Sequence, residues 1–194
     1  MYSKIKHILW KSQGFVFSLL LLFSCKPNSV NHELENKLRS LTITIPTDSM
    51  ELLLPKNKDS TYADFFNTAS FQYIIYYDST VCSVCNLRKM GIWYNIIRKS
   101  KKIDSNIKYI FIFQPKHEMI QQFKIEYYAQ KVSLPFYIDS TGIMERLNPI
   151  LSQSQLYCSF VLNKNNHIEV IGDASKNLIV EERFYDFLKK KKEN

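Results

Sequence analysis

The chain has 194 residues, with 26 Lys and Arg against 18 Asp and Glu, a formal charge of +8. That length holds one domain after a targeting segment, and a hydrophobic content of 45% supplies its core. Three of the positive charges (Lys4, Lys6, Lys11) precede Cys25 with no acid among them, which leaves 23 against 18 beyond it, a net of +5. Four of those sit in one run at 189–192, so the body is close to balance and the basic surface that a nucleic-acid partner requires is excluded.

The first 25 residues read as an export signal. Basic residues precede an apolar run at 15–23. As a helix that run rises only about 14 Å, less than half of a ~30 Å bilayer core, so it is a signal h-region and not a membrane span. It ends at Leu22-Phe23-Ser24-Cys25. This resembles a bacterial lipobox, with Phe23 where such signals usually carry a small residue, and implies cleavage before Cys25 and a diacylglycerol on its thiol. In an ordinary signal peptide Cys25 would be incidental, but no small-x-small cleavage site follows it. The expected layout is a lipoprotein signal peptide over 1–25 with Cys25 as first mature residue, a polar tether over 26–40, and one domain over 41–192. With Cys25 lipidated, Cys82, Cys85 and Cys158 remain. That set is too small and too odd to staple a secreted fold, so the close pair reads as chemistry.

Residues 41–45 alternate and are β-branched, which predicts a strand, and a loop follows around the apolar piece 52–54. Residues 59–69 have room for a short helix. Residues 71–77 form a continuous apolar and aromatic run, the pattern of a strand buried on both faces. After a turn at 78–81, residues 82–100 are predicted helical, with Val84, Leu87, Gly91, Tyr94 and Ile97 on one apolar face. A second buried strand at 107–113 stops at Pro115. A helix over 117–131 places Met119, Phe123 and Tyr127 on one stripe. A short strand at 135–138 and a turn at 139–142 follow. Residues 159–162 and 167–171 flank 163–166 as a hairpin. A helix over 180–192 turns Phe184, Phe187 and Leu188 inward and sets its lysines at the negative end of the dipole.

Strands alternating with helices imply an α/β fold: a mixed, mainly parallel sheet flanked by helices, ending in an antiparallel hairpin and a C-terminal helix. Within it Cys82-Ser83-Val84-Cys85 opens the first long helix after a buried strand. Backbone N–H groups and the positive dipole end there stabilise a thiolate at Cys82, shifting it from ~8.5 toward 7 or below. Cys85, one turn on, is expected to be more buried. A structural disulfide would close a very small loop, and zinc would need two more ligands where no second CxxC or HxxxH exists; His117 and His167 are isolated. No metal or cofactor is expected. A peroxidase reading fails on Ile75, which falls where proline should precede the cysteine. Asp78 and Glu118 have no paired acid at useful spacing.

The strand–CxxC–helix layout, with the segments 136–142 and 160–164, resembles the thioredoxin superfamily and within it the membrane-tethered TlpA/ResA-like thiol–disulfide proteins. The set 78–87 with Ile171-Gly172-Asp173 resembles a group of lipoproteins in that branch. The resemblance covers about residues 41–192 and implies an extra strand and short helix between the second long helix and the hairpin. By position it makes Cys82 the nucleophile and Cys85 the resolver. Two departures stand out: Val81 replaces the usual Trp, and Tyr157-Cys158 stands where a cis-proline normally presents backbone to a bound substrate chain. Without proline that bond is expected to be trans. Cys158, with Tyr157, is either an auxiliary to the chemistry within about 10 Å of Cys82, a reach of about two side chains, or a small buried hydrophobe.

The implied function is an envelope thiol–disulfide oxidoreductase, lipid-anchored and periplasm-facing in a Gram-negative bacterium. It would act on protein thiols or disulfides with electrons from a membrane donor. The alternative is a redox-weak lipoprotein of the same fold that serves as a binding or assembly module, a reading the missing Pro and Trp support.

Overall fold

The structure, a computed structural model, describes residues 32–56, 69–153 and 155–193. The expected signal segment with Cys25, and the expected helix over 59–69 apart from Ala69, lie outside these residues. In chain order the described elements are α1 (His32–Ser40), β1 (Glu51–Leu53), β2 (Phe71–Tyr77), α2 (Ser83–Arg88), α3 (Met90–Ile103), β3 (Ile107–Phe113), α4 (Ile120–Ala129), β4 (Phe136–Ile138), α5 (Ile143–Leu147), β5 (Ser159–Asn163), β6 (Ile168–Ile171) and α6 (Leu178–Lys192).

The two continuous apolar runs become the centre of the sheet. β2 and β3 pair in parallel, from Phe71 opposite Ile107 to Tyr77 opposite Phe113. β4 continues the parallel order on the far side of β3, and β1 closes that edge antiparallel. On the other side β5 runs antiparallel to β2, with Ile75 opposite Ser159, and β6 completes the hairpin. The strand order among the described residues is β1-β4-β3-β2-β5-β6. Alternation along β2 and β3 sends Tyr73, Ile75, Tyr77, Tyr109, Phe111 and Phe113 to one face, where they join Trp93, Phe123, Phe136 and Phe184 in one buried cluster. Ile74, Tyr76, Ile110 and Ile112 point the other way and are buried too, which is why neither run alternates in sequence.

Several expectations need correction. Residues 41–45 make no strand. Thr42 forms a single bridge to His167, and both backbone groups of Thr44 are taken by the Asn148 side chain, at 2.9 and 2.8 Å. The first strand among the described residues is instead β1, at the opposite edge of the sheet beside β4 and inside the stretch read as a loop. The tether read over 26–40 is helical in its described part, where Leu38 is fully buried and the Arg39 guanidinium donates to the Glu169 carbonyl at 2.6 Å. The helix predicted over 82–100 is two helices. Lys89, at φ −95° and ψ 8°, leaves the helical basin, and the chain restarts at Met90 with the inward face moved by one residue. Met90, Trp93 and Ile96 are buried, whereas Gly91 is exposed and Tyr94 and Ile97 are half-buried. Phe184 and Leu188 turn inward on α6 as expected, with Phe187 only partly covered.

Gly172, just after β6, has φ +118°, a region that disfavours any L side chain. A Cβ there would lie 2.8 Å from Val180 Cγ2, on a stiff β-branched side chain. Replacing Gly172 by Ala is predicted to lower stability by roughly 2 kcal/mol, from backbone strain and overpacking. Gly91, in α3 with nothing near its missing Cβ, supplies the opposite case: Gly91→Ala should raise stability by about 0.5–1 kcal/mol. Urea unfolding midpoints of the two variants check both signs.

Candidate active site

β2 delivers the chain to a turn built by one carboxylate. Asp78, 7% exposed, accepts hydrogen bonds from the Thr80 N–H at 2.7 Å and the Thr80 hydroxyl at 2.6 Å. The turn carries Val81 and then Cys82, the N-cap of α2. Cys82 has extended backbone angles (φ −70°, ψ 99°) and its Sγ accepts the Cys85 N–H at 3.2 Å. Its carbonyl accepts from both the backbone and side-chain nitrogens of Asn86, each at 3.1 Å. Cys82 and Cys85 are joined as a disulfide, with Cα atoms 5.2 Å apart.

A closed, solvent-facing CxxC at the start of a helix, after the central strand of a mixed sheet, decides the type. The fold is thioredoxin-like. The inserted β4 and α5, between α4 and the final hairpin, are the feature expected of the TlpA/ResA-like branch. No family model matches the chain, and no curated protein does. It is similar to a solved thioredoxin-like protein in its oxidized form (TM-score 0.44, 11% identity, covering 79% of this chain and 95% of that one). It is also similar to the exposed lipoprotein thioredoxin of Streptococcus pneumoniae (0.42, 15%, 73% and 98%) and to StoA of Bacillus subtilis (0.40, 16%, 71% and 96%). What identifies the fold is the strand order and the place of the cysteine pair in it.

Both sulfur-bearing residues of the thioredoxin-like pair are exposed, so Cys85 is not the buried partner the spacing implied. The inward positions of α2 belong to Ser83 and Leu87, one turn apart, and Cys85 falls between them on the outer face. Ser83 is 7% exposed, and its Oγ has no hydrogen-bond partner.

Cys158 stands outside the disulfide and is 5% exposed. Its thiol donates to Asp78 Oδ2 at 3.9 Å and lies 3.6 Å from the Leu151 carbonyl, while its own carbonyl accepts from the Tyr76 N–H at 2.9 Å. Burial, and then the carboxylates of Asp78 and Glu145, push this thiol up to about 12. Tyr157 is buried beside it, and among the described residues every peptide bond is trans. The structure thus brings Cys158 to the turn that presents Cys82. The residues that clamp this turn carry no mark in the sequence. Gln155 donates to the Thr80 hydroxyl and reaches Asp78 Oδ1 at 3.5 Å. Asp78 is also not the isolated acid that spacing implied: with Asp139 it adds to burial in raising the Glu145 carboxyl. The readable signal was the Asp-x-Thr turn at 78–80; Gln155 and Glu145 are distant in sequence and give none.

A thiol held protonated by burial is unreactive at neutral pH. After reduction, iodoacetamide at neutral pH should label Cys82 and Cys85 but reach Cys158 only in urea, as peptide mass spectrometry would show. The folded Cys158 ionises near 12, and the unfolded one near 9.0. Between those values the unfolded chain holds fewer protons, so stability should fall as pH rises through the window, and Cys158→Ala should flatten that fall.

Proposed function

We propose that this chain is an envelope thiol–disulfide oxidoreductase, held at the membrane by lipid on Cys25, in which Cys82 exchanges disulfides with protein partners and Cys85 resolves them. The observation that carries this is the exposed Cys82–Cys85 disulfide with the Cys85 N–H on the Cys82 sulfur. That N–H stabilises negative charge on Sγ once the bond opens. In the reduced protein the Cys82 thiolate attacks a partner disulfide: a mixed disulfide forms, the partner's S–S bond breaks, and one partner thiolate leaves and takes a proton. The Cys85 thiolate then attacks the Cys82 sulfur, and the second partner thiolate leaves. The partner gains two electrons and the pair returns to the disulfide. A membrane dithiol donor reopens the pair by the same two exchanges. The Leu22-Phe23-Ser24-Cys25 segment supports the lipid anchor, and the proposed setting is the periplasmic face of a Gram-negative envelope.

One observation favours a second reading, a redox-weak binding or assembly module. Tyr157 and Cys158, where the resemblance implies backbone offered to a substrate, are buried. Turnover separates the two. The chain from Lys26 onward should catalyse insulin reduction by dithiothreitol, Cys82→Ser should lose roughly a hundredfold or more, and Cys85→Ser should accumulate the mixed disulfide. Wild-type turnover no greater than that of Cys82→Ser would establish the binding module instead. For the anchor, full-length protein should incorporate labelled palmitate and sediment with membranes, and Cys25→Ala should do neither. Labelling that survives this substitution refutes lipidation at Cys25.

A further inference from the structure

The turn that carries Cys82 has two flanks, and they differ in room. On the side of Tyr157 and Cys158, Gln155 is hydrogen-bonded across to Thr80 and Asp78. The space left among Asp78, Val81, Gln155 and Cys158 is about 10 Å³, no more than one water occupies. No side chain of a partner fits into that space. On the opposite side a cleft of about 280 Å³ opens directly beside Cys82, between the start of α2 and the segment leading from β3 into α4.

The lining of that cleft states what it would take. Val81, Val84, Pro115 and Met119 make apolar walls. Pro115 has no N–H to offer, and Met119 is the side chain best able to mould itself to a variable contact. Ser83 also lines the cleft, and its hydroxyl is buried with no partner. A buried hydroxyl left unpaired is costly, so this one marks a place for a polar group from outside. Lys116 lines the cleft as an exposed cation; no acid is among the lining residues, and Lys116 makes no ion pair among the described residues.

We propose that this cleft, and not the Tyr157–Cys158 flank, is the docking surface for the partner's disulfide, and that its occupant is an extended peptide segment carrying an apolar residue next to its cysteine and an acidic residue beyond. The proposal rests on the redox role of Cys82 under "Proposed function". The apolar side chain enters between Val81, Val84 and Met119, the acidic one meets Lys116, and a backbone group pairs with the Ser83 hydroxyl. The partner sulfur then lies against the Cys82 sulfur, where thiolate attack forms the mixed disulfide and expels the other sulfur of the partner as a thiolate.

The test uses full-length protein in detergent, carrying Cys85→Ser so that the reaction stops at the mixed disulfide. The probes are two synthetic peptides whose single cysteine is activated as its 2-thiopyridyl disulfide, a neutral leaving group read by the absorbance of the released thiopyridone. One peptide has Leu before and Glu after the cysteine; the other has Gly and Lys. The first should react about tenfold faster, the scale of one partly buried apolar side chain with its ion pair. Lys116→Glu combined with Met119→Ser should erase that preference, and Gln155→Ala on the closed flank should leave it intact. Equal rates for the two peptides, or a preference lost in Gln155→Ala and kept in the double variant, would overturn the assignment of the docking face. Free dithiodipyridine, which needs no docking, separates this failure from a deeper one. Fast reaction of Cys82 with that reagent alongside equal peptide rates removes the docking face alone, whereas reaction no faster than in the unfolded chain removes the redox reading as well.

Discussion

The backbone of β2 is paired along both sides, to β3 in parallel and to β5 antiparallel, so none of its amides is free to extend the strand into a loose loop. The carbonyl of its last residue, Tyr77, accepts the Gln114 N–H at 2.8 Å, and the amide of Tyr76 is spent on the Cys158 carbonyl. The chain beyond Tyr77 must leave the sheet at once and satisfy its own polar groups, because they emerge from a dry interior. Asp78 meets that demand with one carboxylate, taking the Thr80 N–H and hydroxyl. The cysteine pair therefore sits on a turn whose geometry is set by the hydrogen-bond needs of a buried strand end. Cys158 is fixed by the same end from the other side.

The aromatic core is tied together by its hydroxyls. The Tyr73 ring packs edge-on against Trp93 and Phe184, with centroids 5.2 and 4.9 Å away. Its hydroxyl donates to the Gly172 carbonyl at 2.7 Å and accepts the Ala174 N–H at 3.0 Å. Trp93 Nε1 donates to the Tyr77 hydroxyl at 3.0 Å. Leaving such a buried group unpaired would cost about 1–3 kcal/mol, so these bonds specify where the chain after β6 and helix α3 must lie against the sheet. Burial holds the Tyr73 and Tyr77 hydroxyls far above their ordinary ionisation range, which keeps them neutral and able to donate.

Elements whose partners are local or whose burial is total were legible in sequence. The runs 71–77 and 107–113 announce doubly covered strands because no position in them faces water, and Asn163 to Asn166 reads as a hairpin turn. The cysteine pair was legible for the same reason: three residues apart at a strand-to-helix junction, it needs no distant partner to be recognised. What escaped was decided by distant groups. Residues 41–45 have a strand's alternation, but the side chain of Asn148 captured Thr44 first. β1 is three residues long and exists through its pairing with β4. The break at Lys89 involves neither Gly nor Pro, so nothing local marks it, yet it rotates the face of α3 by a residue. The exposure of Cys85 follows from Ser83 and Leu87 winning the inward positions of α2, a contest that periodicity alone does not score. The cleft beside Cys82 joins residues more than thirty positions apart.

The outward position of Cys85 changes the kinetics of any exchange at this pair. A resolving sulfur sealed in the interior answers only to its neighbour. Here, under the proposed chemistry, the captured partner can be released in two ways: by ring closure from Cys85, or by a free small thiolate reaching the mixed disulfide from solvent. Ring closure draws on a local concentration in the millimolar range or above for so short a tether, and small thiols in cells reach the same range. The dwell time of a partner on Cys82 is then the reciprocal of the sum of two escape rates, one internal and constant, the other scaling with the surrounding thiol pool. A scarcity of small thiols lengthens the attachment with no change in the protein, so the pair reports the redox condition of its surroundings through how long it holds on.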